Sequence, residues 1–380
     1  MKVVIGTTTG FHLRRLAVEM NRAGVDLSYF SSMPRFRLRR DGLAAPWAVS
    51  LFPKLLPDSA LALARQLPQP IQMRATERML ARVDEALARQ MVPADIFIGL
   101  SSMAVRSAAR ARELGAKVII ERGSRHVLSQ NDILVQGGAK PLSQLYIERE
   151  LASYDAADIV TVLSSHAAES FLEQGFPREK LFVCPLGVDL KAFMPSPRPT
   201  GRLKLLFVGQ WSLRKGVDTL VTAVRQRPDW KLTHVGSMAD APFPQGDQFQ
   251  SLGHRDHGGL AEVMHTHHIL VLPSREDGFG MVLLEALAAG RPVVASHMTG
   301  GPDIREMITT PDWVELVAPG DANDLLRGLE VMADREATLE GDKNRSLLEP
   351  ADLDRLSWSG YAQRYMDFLG ILGTMKGART

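Results

Sequence analysis

The sequence predicts an α/β protein made of two doubly wound, Rossmann-like domains that face each other across a cleft. Three observations carry that expectation. Short apolar runs alternate with amphipathic helical patterns along most of the chain. The alternation is interrupted by one proline-rich stretch, Met194-Pro195-Ser196-Pro197-Arg198-Pro199-Thr200-Gly201, which reads as a linker. The length of 380 residues is too great for one ordinary core and suits two domains of roughly 150 residues each. The expected division is residues 1–190, residues 200–358 and a closing segment, residues 359–380.

The elements follow in order. Residues 2–5 form a short apolar run broken by Gly6-Thr7-Thr8-Thr9-Gly10. A helical pattern through Leu13, Leu16, Ala17 and Met20 then stops at Gly24, and residues 25–30 give the next strand. A β-loop-α-β start with a glycine-bearing first loop is how nucleotide-type α/β domains open. Residues 31–75 have no clear period, and a basic helix is expected at about 72–90. Strands at 95–100, 117–120, 159–163 and 180–184 then alternate with helices near 103–114, 142–156 and 165–174. Past the linker, strands are expected at 203–208, 231–235, 269–272, 292–295 and 314–317. Helices there fit 216–226, 259–265, 280–289 and 321–332, and two more follow at 351–357 and 360–373. Such folds place their ligand cleft at the strand C-termini.

Composition narrows the class. Hydrophobic residues make up 45% and charged residues 23%, the profile of a globular protein. The single cysteine, Cys184 beside Pro185, excludes an internal disulfide framework and a multi-cysteine zinc site, and reads as a small packing residue. Neither a secretion signal nor a run of about 18 apolar residues is visible, so a cytoplasmic location is expected. Net charge is only +2, yet residues 1–80 carry 12 Lys and Arg against 5 acids. Arg35, Arg37, Arg39 and Arg40 lie among Phe36, Leu38, Trp47 and Phe52. Residues 31–55 are therefore expected to dock at an anionic membrane, peripherally at its inner face, with an ordinary solvated surface as the alternative. No nucleic-acid module accompanies the arginines, and no nucleic-acid partner is expected.

The most informative segment is Pro273-Ser274-Arg275-Glu276-Asp277-Gly278-Phe279-Gly280-Met281-Val282-Leu283-Leu284-Glu285. An apolar strand ends at Pro273, a glycine-rich turn follows, and a helix starts near Gly280. The backbone N–H groups of Phe279, Gly280, Met281 and Val282 would be the donors of that helix N-terminus, suited to a diphosphate. Asp277 before the helix and Glu285 inside it can accept hydroxyl hydrogen bonds at two depths, as a sugar and a ribose require. A second segment runs Phe207-Val208-Gly209-Gln210-Trp211-Ser212-Leu213-Arg214-Lys215-Gly216. Its loop delivers two adjacent cations to a helix start, suited to a departing diphosphate.

In their order along the chain, the two segments resemble the donor-binding motifs of retaining glycosyltransferase family 4, the glycosyl transferases group 1 with the GT-B fold. The resemblance is carried further by Pro185-Leu186-Gly187-Val188-Asp189, Gly300-Gly301-Pro302 and Val317-Ala318-Pro319-Gly320-Asp321. It implies a nucleoside-diphosphate sugar as donor substrate, no cofactor and no metal. The acceptor it implies is lipid-linked, a cell-surface polysaccharide or a small molecule. Lys215 and Arg214 would take the leaving diphosphate, Asp277 the donor sugar and Glu285 the ribose. Gly10 and Gly209 would approach the phosphates and His254 would sit at the base, while His126 would either reach the transferred sugar or simply stabilise its loop. The departing phosphate would help deprotonate the acceptor on the same face. The helix around Trp358, Tyr361 and Tyr365 would cross back to the N-terminal domain. Two positions depart from the family pattern: Gln210 stands where an Arg is usual, and Asp277 where a Glu is usual. They keep open a non-catalytic, sugar-nucleotide-binding relative.

Two further readings are set against this one. A nicotinamide-dependent oxidoreductase would also be doubly wound, but residues 6–10 lack the G-x-G-x-x-G spacing. His254, His257, His265, His267 and His268 crowd together in sequence without a matching Cys or carboxylate set, so no metal site is expected.

Overall fold

The computed structural model describes residues 1–8, 12–43, 45–52, 69–338 and 346–377. It contains two parallel sheets. The first uses β1 (Lys2–Thr7), β2 (Asp26–Ser31), β3 (Ala48–Ser50), β4 (Ile96–Leu100), β5 (Lys117–Arg122), β6 (Ile159–Val162) and β7 (Leu181–Val183), in the order β3-β2-β1-β4-β5-β6-β7. The second uses β8 (Lys204–Val208), β9 (Lys231–Val235), β10 (Phe249–Ser251), β11 (Ile269–Leu272), β12 (Val293–Ser296) and β13 (Val314–Val317), ordered β10-β9-β8-β11-β12-β13. In each sheet the order reverses between the first strand and the fourth, β1 beside β4 and β8 beside β11. That reversal opens a crevice at the strand C-termini.

Both faces of the first sheet are covered, which is why its strands read as nearly unbroken apolar runs. Val3 and Ile5 pack with Leu13 and Leu16 of helix His12–Arg22. Val4, on the opposite face, packs with Val83 and Leu87 of helix Gln69–Gln90. The expected strands are all present, within a residue or two at their ends. Short elements were missed: helix Arg35–Arg40, β3, helix Val127–Gln136, β10 and helix Gly301–Met307. Three to ten residues give too few repeats for a period to stand out, and Pro34 alone marks the start of the first of them.

The linker is held to the second sheet's side. Arg291, 1% exposed, donates to Ser196 Oγ at 2.6 Å and to the Pro197 carbonyl at 2.9 Å. The last helix, Trp358–Gly377, returns to the first sheet's side. Phe368 stacks on Phe182 at 3.8 Å between ring centroids, Tyr361 meets His12 edge-on, and Lys117 donates to the Leu372 carbonyl at 3.0 Å. No helix among the described residues is long and apolar enough to cross a membrane.

Candidate active site

A cavity of about 450 Å³ lies between the strand C-termini of the two sheets. The second sheet supplies Asp277, Phe279, Gly280, Met281 and Glu285, and the first supplies His12, Arg14, Arg15, Gly123 and Leu163. Val188, Phe193 and Trp358 line its remaining side.

On the second-sheet wall the loop after β11 does most of the positioning. Gly280 has φ +74°, a left-handed conformation that glycine adopts without strain. The helix therefore starts at Val282, after this turn, rather than at 280. Asp277 accepts from the Lys215 ammonium, which arrives on the short 3₁₀ turn Leu213–Lys215 after β8. Burial opposes charge on Asp277, but the Lys215 ammonium, with Arg214 behind it, outweighs this and holds the carboxyl below its usual range. Arg214 is committed elsewhere: it donates to the Glu276 carbonyl at 3.0 Å and to the Glu276 carboxylate at 2.9 Å. Glu285 is 5% exposed, and burial pushes its carboxyl up to about 7. His257 Nδ1 lies 3.8 Å from its Oε1.

The two walls touch directly. Gly278 and Gly123 approach so closely that a Cβ on Gly278 would overlap the Gly123 carbonyl oxygen. Ser124 donates to Glu276, Ser164 Oγ to the Gly278 carbonyl at 2.7 Å, and His166 Nε2 to the Asp277 carbonyl at 2.8 Å. Ser165 Oγ donates to Asp303 at 2.6 Å. The 276–278 loop that carries Asp277 is thus held from the first sheet's side as well as from its own.

The other expected site residues fall in different places. Phe279, Gly280 and Met281 line the cavity beside Asp277 and Glu285, and Val282 opens the helix behind them. Gly209 follows β8 and donates its N–H to Val235, while its carbonyl accepts from His234 at 3.0 Å. His254 is exposed on the loop after β10. Gly10 lies outside the described residues. His126 does not line the cavity. It caps helix Val127–Gln136 and packs edge-on against Phe171 and at a tilt against Tyr154. Burial, then the nearby Arg122, pull its imidazole down to about 4.

Arg122 itself is buried in an ion pair with Glu150 at 2.7 Å and is no cavity cation. The crowded histidines are dispersed: His265 bonds the Met194 carbonyl, His267 the Val263 carbonyl, and His268 accepts from the Lys204 N–H. The Cys184 thiol is buried and pushed up to about 12 by that burial. His12 and Phe193 are cavity residues that the motifs did not single out, and His257 and Trp358 line it although they were named only for other roles. His12 follows the first glycine-bearing loop, and that position was the available signal.

Two family models match the chain: a glycosyl transferase 4-like domain over residues 7–187, and glycosyl transferases group 1 over residues 202–334. The chain belongs to glycosyltransferase family 4. Among its relatives is the GDP-mannose-dependent alpha-(1-6)-phosphatidylinositol monomannoside mannosyltransferase of Mycobacterium tuberculosis. It is 28% identical over 76% of this chain and 79% of that one. The D-inositol 3-phosphate glycosyltransferase of an Arthrobacter strain is 30% identical, but the match spans only 57% of this transferase and 56% of the relative. Among solved structures, sucrose-phosphate synthase from Thermosynechococcus elongatus superposes with a TM-score of 0.68 at 19% identity, covering 99% of this transferase and 100% of that chain. HepE of Anabaena, solved with UDP and glucose, superposes with a TM-score of 0.64 at 16% identity, covering 97% and 99%. These structures share the GT-B fold with this glycosyltransferase.

Proposed function

We propose that this glycosyltransferase moves a sugar from a nucleoside-diphosphate donor to a hydroxyl of a polyol, glycan or lipid-linked acceptor, with retention and without a metal. The observation that carries the reading is the Lys215–Asp277 pair, whose Asp277 lines the cavity together with Gly280, Met281 and Glu285. The donor diphosphate takes Lys215 from Asp277 and receives the N–H groups of the 279–282 turn. Asp277, released, accepts from hydroxyls of the sugar, and Glu285 accepts from the ribose. In the transfer step the acceptor oxygen bonds to the anomeric carbon and the bond from that carbon to the diphosphate oxygen breaks. The acceptor proton passes to the departing diphosphate on the same face. Lys215 and the turn stabilise the charge that builds there, where water is excluded. Support for the donor class comes from the Mycobacterium relative, named for GDP-mannose, and from HepE, solved with UDP.

The Arg35–Arg40 helix presents Phe36, 69% exposed, among exposed arginines. This supports peripheral docking to an anionic membrane, where a lipid-linked acceptor would be met.

The test is a panel of UDP-, GDP-, ADP- and dTDP-sugars in EDTA, read by thermal shift and by donor turnover. One nucleotide class that stabilises wild type but not Lys215→Ala, and that is consumed, supports the reading. Binding without turnover in the presence of any acceptor would favour the non-catalytic relative. Turnover that EDTA abolishes and a divalent cation restores would sink the metal-free mechanism.

A further inference from the structure

On the first-sheet wall of the cavity, one side chain is held by an arrangement that the donor chemistry does not use. His12 begins helix His12–Arg22, lines the cavity and has only 6% of its side chain exposed. Its Nε2 lies 2.8 Å from the Glu121 carboxylate. Glu121, at the end region of β5, is fully buried and receives two more hydrogen bonds, from Thr161 on β6 and from the Tyr365 hydroxyl at 3.2 Å. Tyr365 belongs to the returning helix Trp358–Gly377, so three separate parts of the chain converge to fix one carboxylate. The contact with this fixed side chain sets the orientation of the His12 ring. A carboxylate behind an imidazole also makes the imidazole a better hydrogen-bond acceptor. The neighbouring cavity cations are engaged otherwise, Arg14 with Asp41 and Arg15 with Asp189.

We propose that His12 binds an acceptor hydroxyl adjacent to the one that attacks, and that Glu121, anchored by Thr161 and Tyr365, is the positioning residue that orients its ring. The inference rests on the donor reading above: Lys215, Asp277 and Glu285 belong to the second sheet, and His12 faces the same cavity from the first. A vicinal diol, as in a sugar or an inositol, would then be gripped at one oxygen while its neighbour meets the anomeric carbon.

The experiment compares wild type, His12→Ala, Glu121→Gln and Tyr365→Phe, with GDP-mannose and UDP-glucose as donors and D-inositol 3-phosphate as acceptor probe. Nucleoside-diphosphate affinity, donor hydrolysis by water and transfer to the probe are measured separately. His12→Ala is expected to keep nucleotide affinity and hydrolysis within about threefold while transfer falls by about 20-fold or more, through a raised acceptor KM. Glu121→Gln should shift the same ratio by about fivefold, and Tyr365→Phe by less, each with nucleotide affinity intact as the check on folding. Unchanged transfer in His12→Ala, or hydrolysis and nucleotide affinity falling in step with it, would overturn the assignment. Wild type that neither binds nor hydrolyses a nucleotide sugar would instead defeat the donor reading on which it stands.

Discussion

The Lys215 ammonium donates to the carboxylate of Asp277, and so ties the loop after β8 to the loop after β11. Each group is the partner the other would exchange for a substrate. On the proposed reading, a diphosphate competes with Asp277 for the lysine, and a sugar hydroxyl competes with Lys215 for the carboxylate. Asp277→Asn should therefore leave nucleoside-diphosphate affinity equal or tighter, because Lys215 no longer leaves an ion pair to bind phosphate. Lys215→Ala should weaken that affinity by about 10-fold or more, and both variants should lower kcat/KM by about 100-fold. Calorimetry with the nucleotide, followed by turnover, separates the two. Equal loss of affinity in both variants would contradict the exchange.

If Glu285 holds the ribose, as proposed, nucleotide binding should depend on pH. Burial raises its carboxyl to about 7, so near neutrality a large fraction is protonated in the free protein. Ribose hydroxyls donate best to the ionised form, so binding favours loss of the proton. Affinity should rise as pH increases through 7 and level off above it. Glu285→Gln should bind more weakly and lose that rise. A wild-type affinity that falls across the same window would place the ribose elsewhere.

How far the site could be read in advance is decided by sequence separation. Lys215, Asp277, Gly280 and Glu285 sit in two compact runs, and turn chemistry with helix starts made their grouping legible. The contacts that complete the cavity join residues far apart. His12 meets Glu121 across 109 positions, and Ser124 meets Glu276 across 152. No local pattern predicts such pairs, because they follow from how the two sheets are laid against each other. The same applies to His126, whose place after β5 drew a sugar-binding role while its ring is packed against Phe171 and Tyr154. The strands were legible because both faces of each sheet are covered. The Arg35–Arg40 turn and β3 were not, being too short to show a period.

His126 accordingly predicts a stability effect rather than a catalytic one. Its imidazole is neutral in the folded protein, with burial and Arg122 lowering it to about 4, whereas the unfolded chain takes up a proton near the ordinary value of 6.5. The folded-state value is depressed, so the contribution is complete above pH 6.5 and is lost as pH falls toward 4, at up to about 1.4 kcal/mol per pH unit. His126→Phe should remove that share of the acid sensitivity and leave transfer within about twofold of wild type. Denaturant titrations at pH 5 and pH 7.5 measure the first, and the standard turnover assay the second.

Gly278 offers a test of the contact between the walls. A methyl group there has nowhere to go, since the Gly123 carbonyl occupies its place. Gly278→Ala should therefore push the two domains apart while each keeps its own core. Scattering should show a larger radius of gyration, and transfer should fall by about 100-fold, because Ser124, Ser164 and His166 no longer reach the 276–278 loop. Nucleotide affinity should change far less, since Lys215 and Glu285 both stay with the second sheet. Full activity in this variant would mean that the contact is not part of the working cleft.

The remaining prediction concerns the exposed basic turn. Arg35, Arg37, Arg39 and Arg40 occupy one short helix with Phe36 standing out from it, 69% exposed. An arginine near an anionic bilayer contributes roughly 1 kcal/mol, and inserting an aromatic ring adds to this. Vesicles containing phosphatidylglycerol should carry the protein upward in a flotation gradient at low salt, and vesicles of phosphatidylcholine alone should not. Arg37→Glu with Arg40→Glu should abolish flotation, and Phe36→Ser should weaken it, while turnover of a water-soluble acceptor stays at the wild-type level. Rising salt should release the wild type, because exposed charges are screened over about 10 Å at 0.1 M. Protein that remains in the soluble fraction with anionic vesicles at low salt would make the turn an ordinary solvated face, and the acceptor would then have to come to the enzyme rather than wait at a membrane.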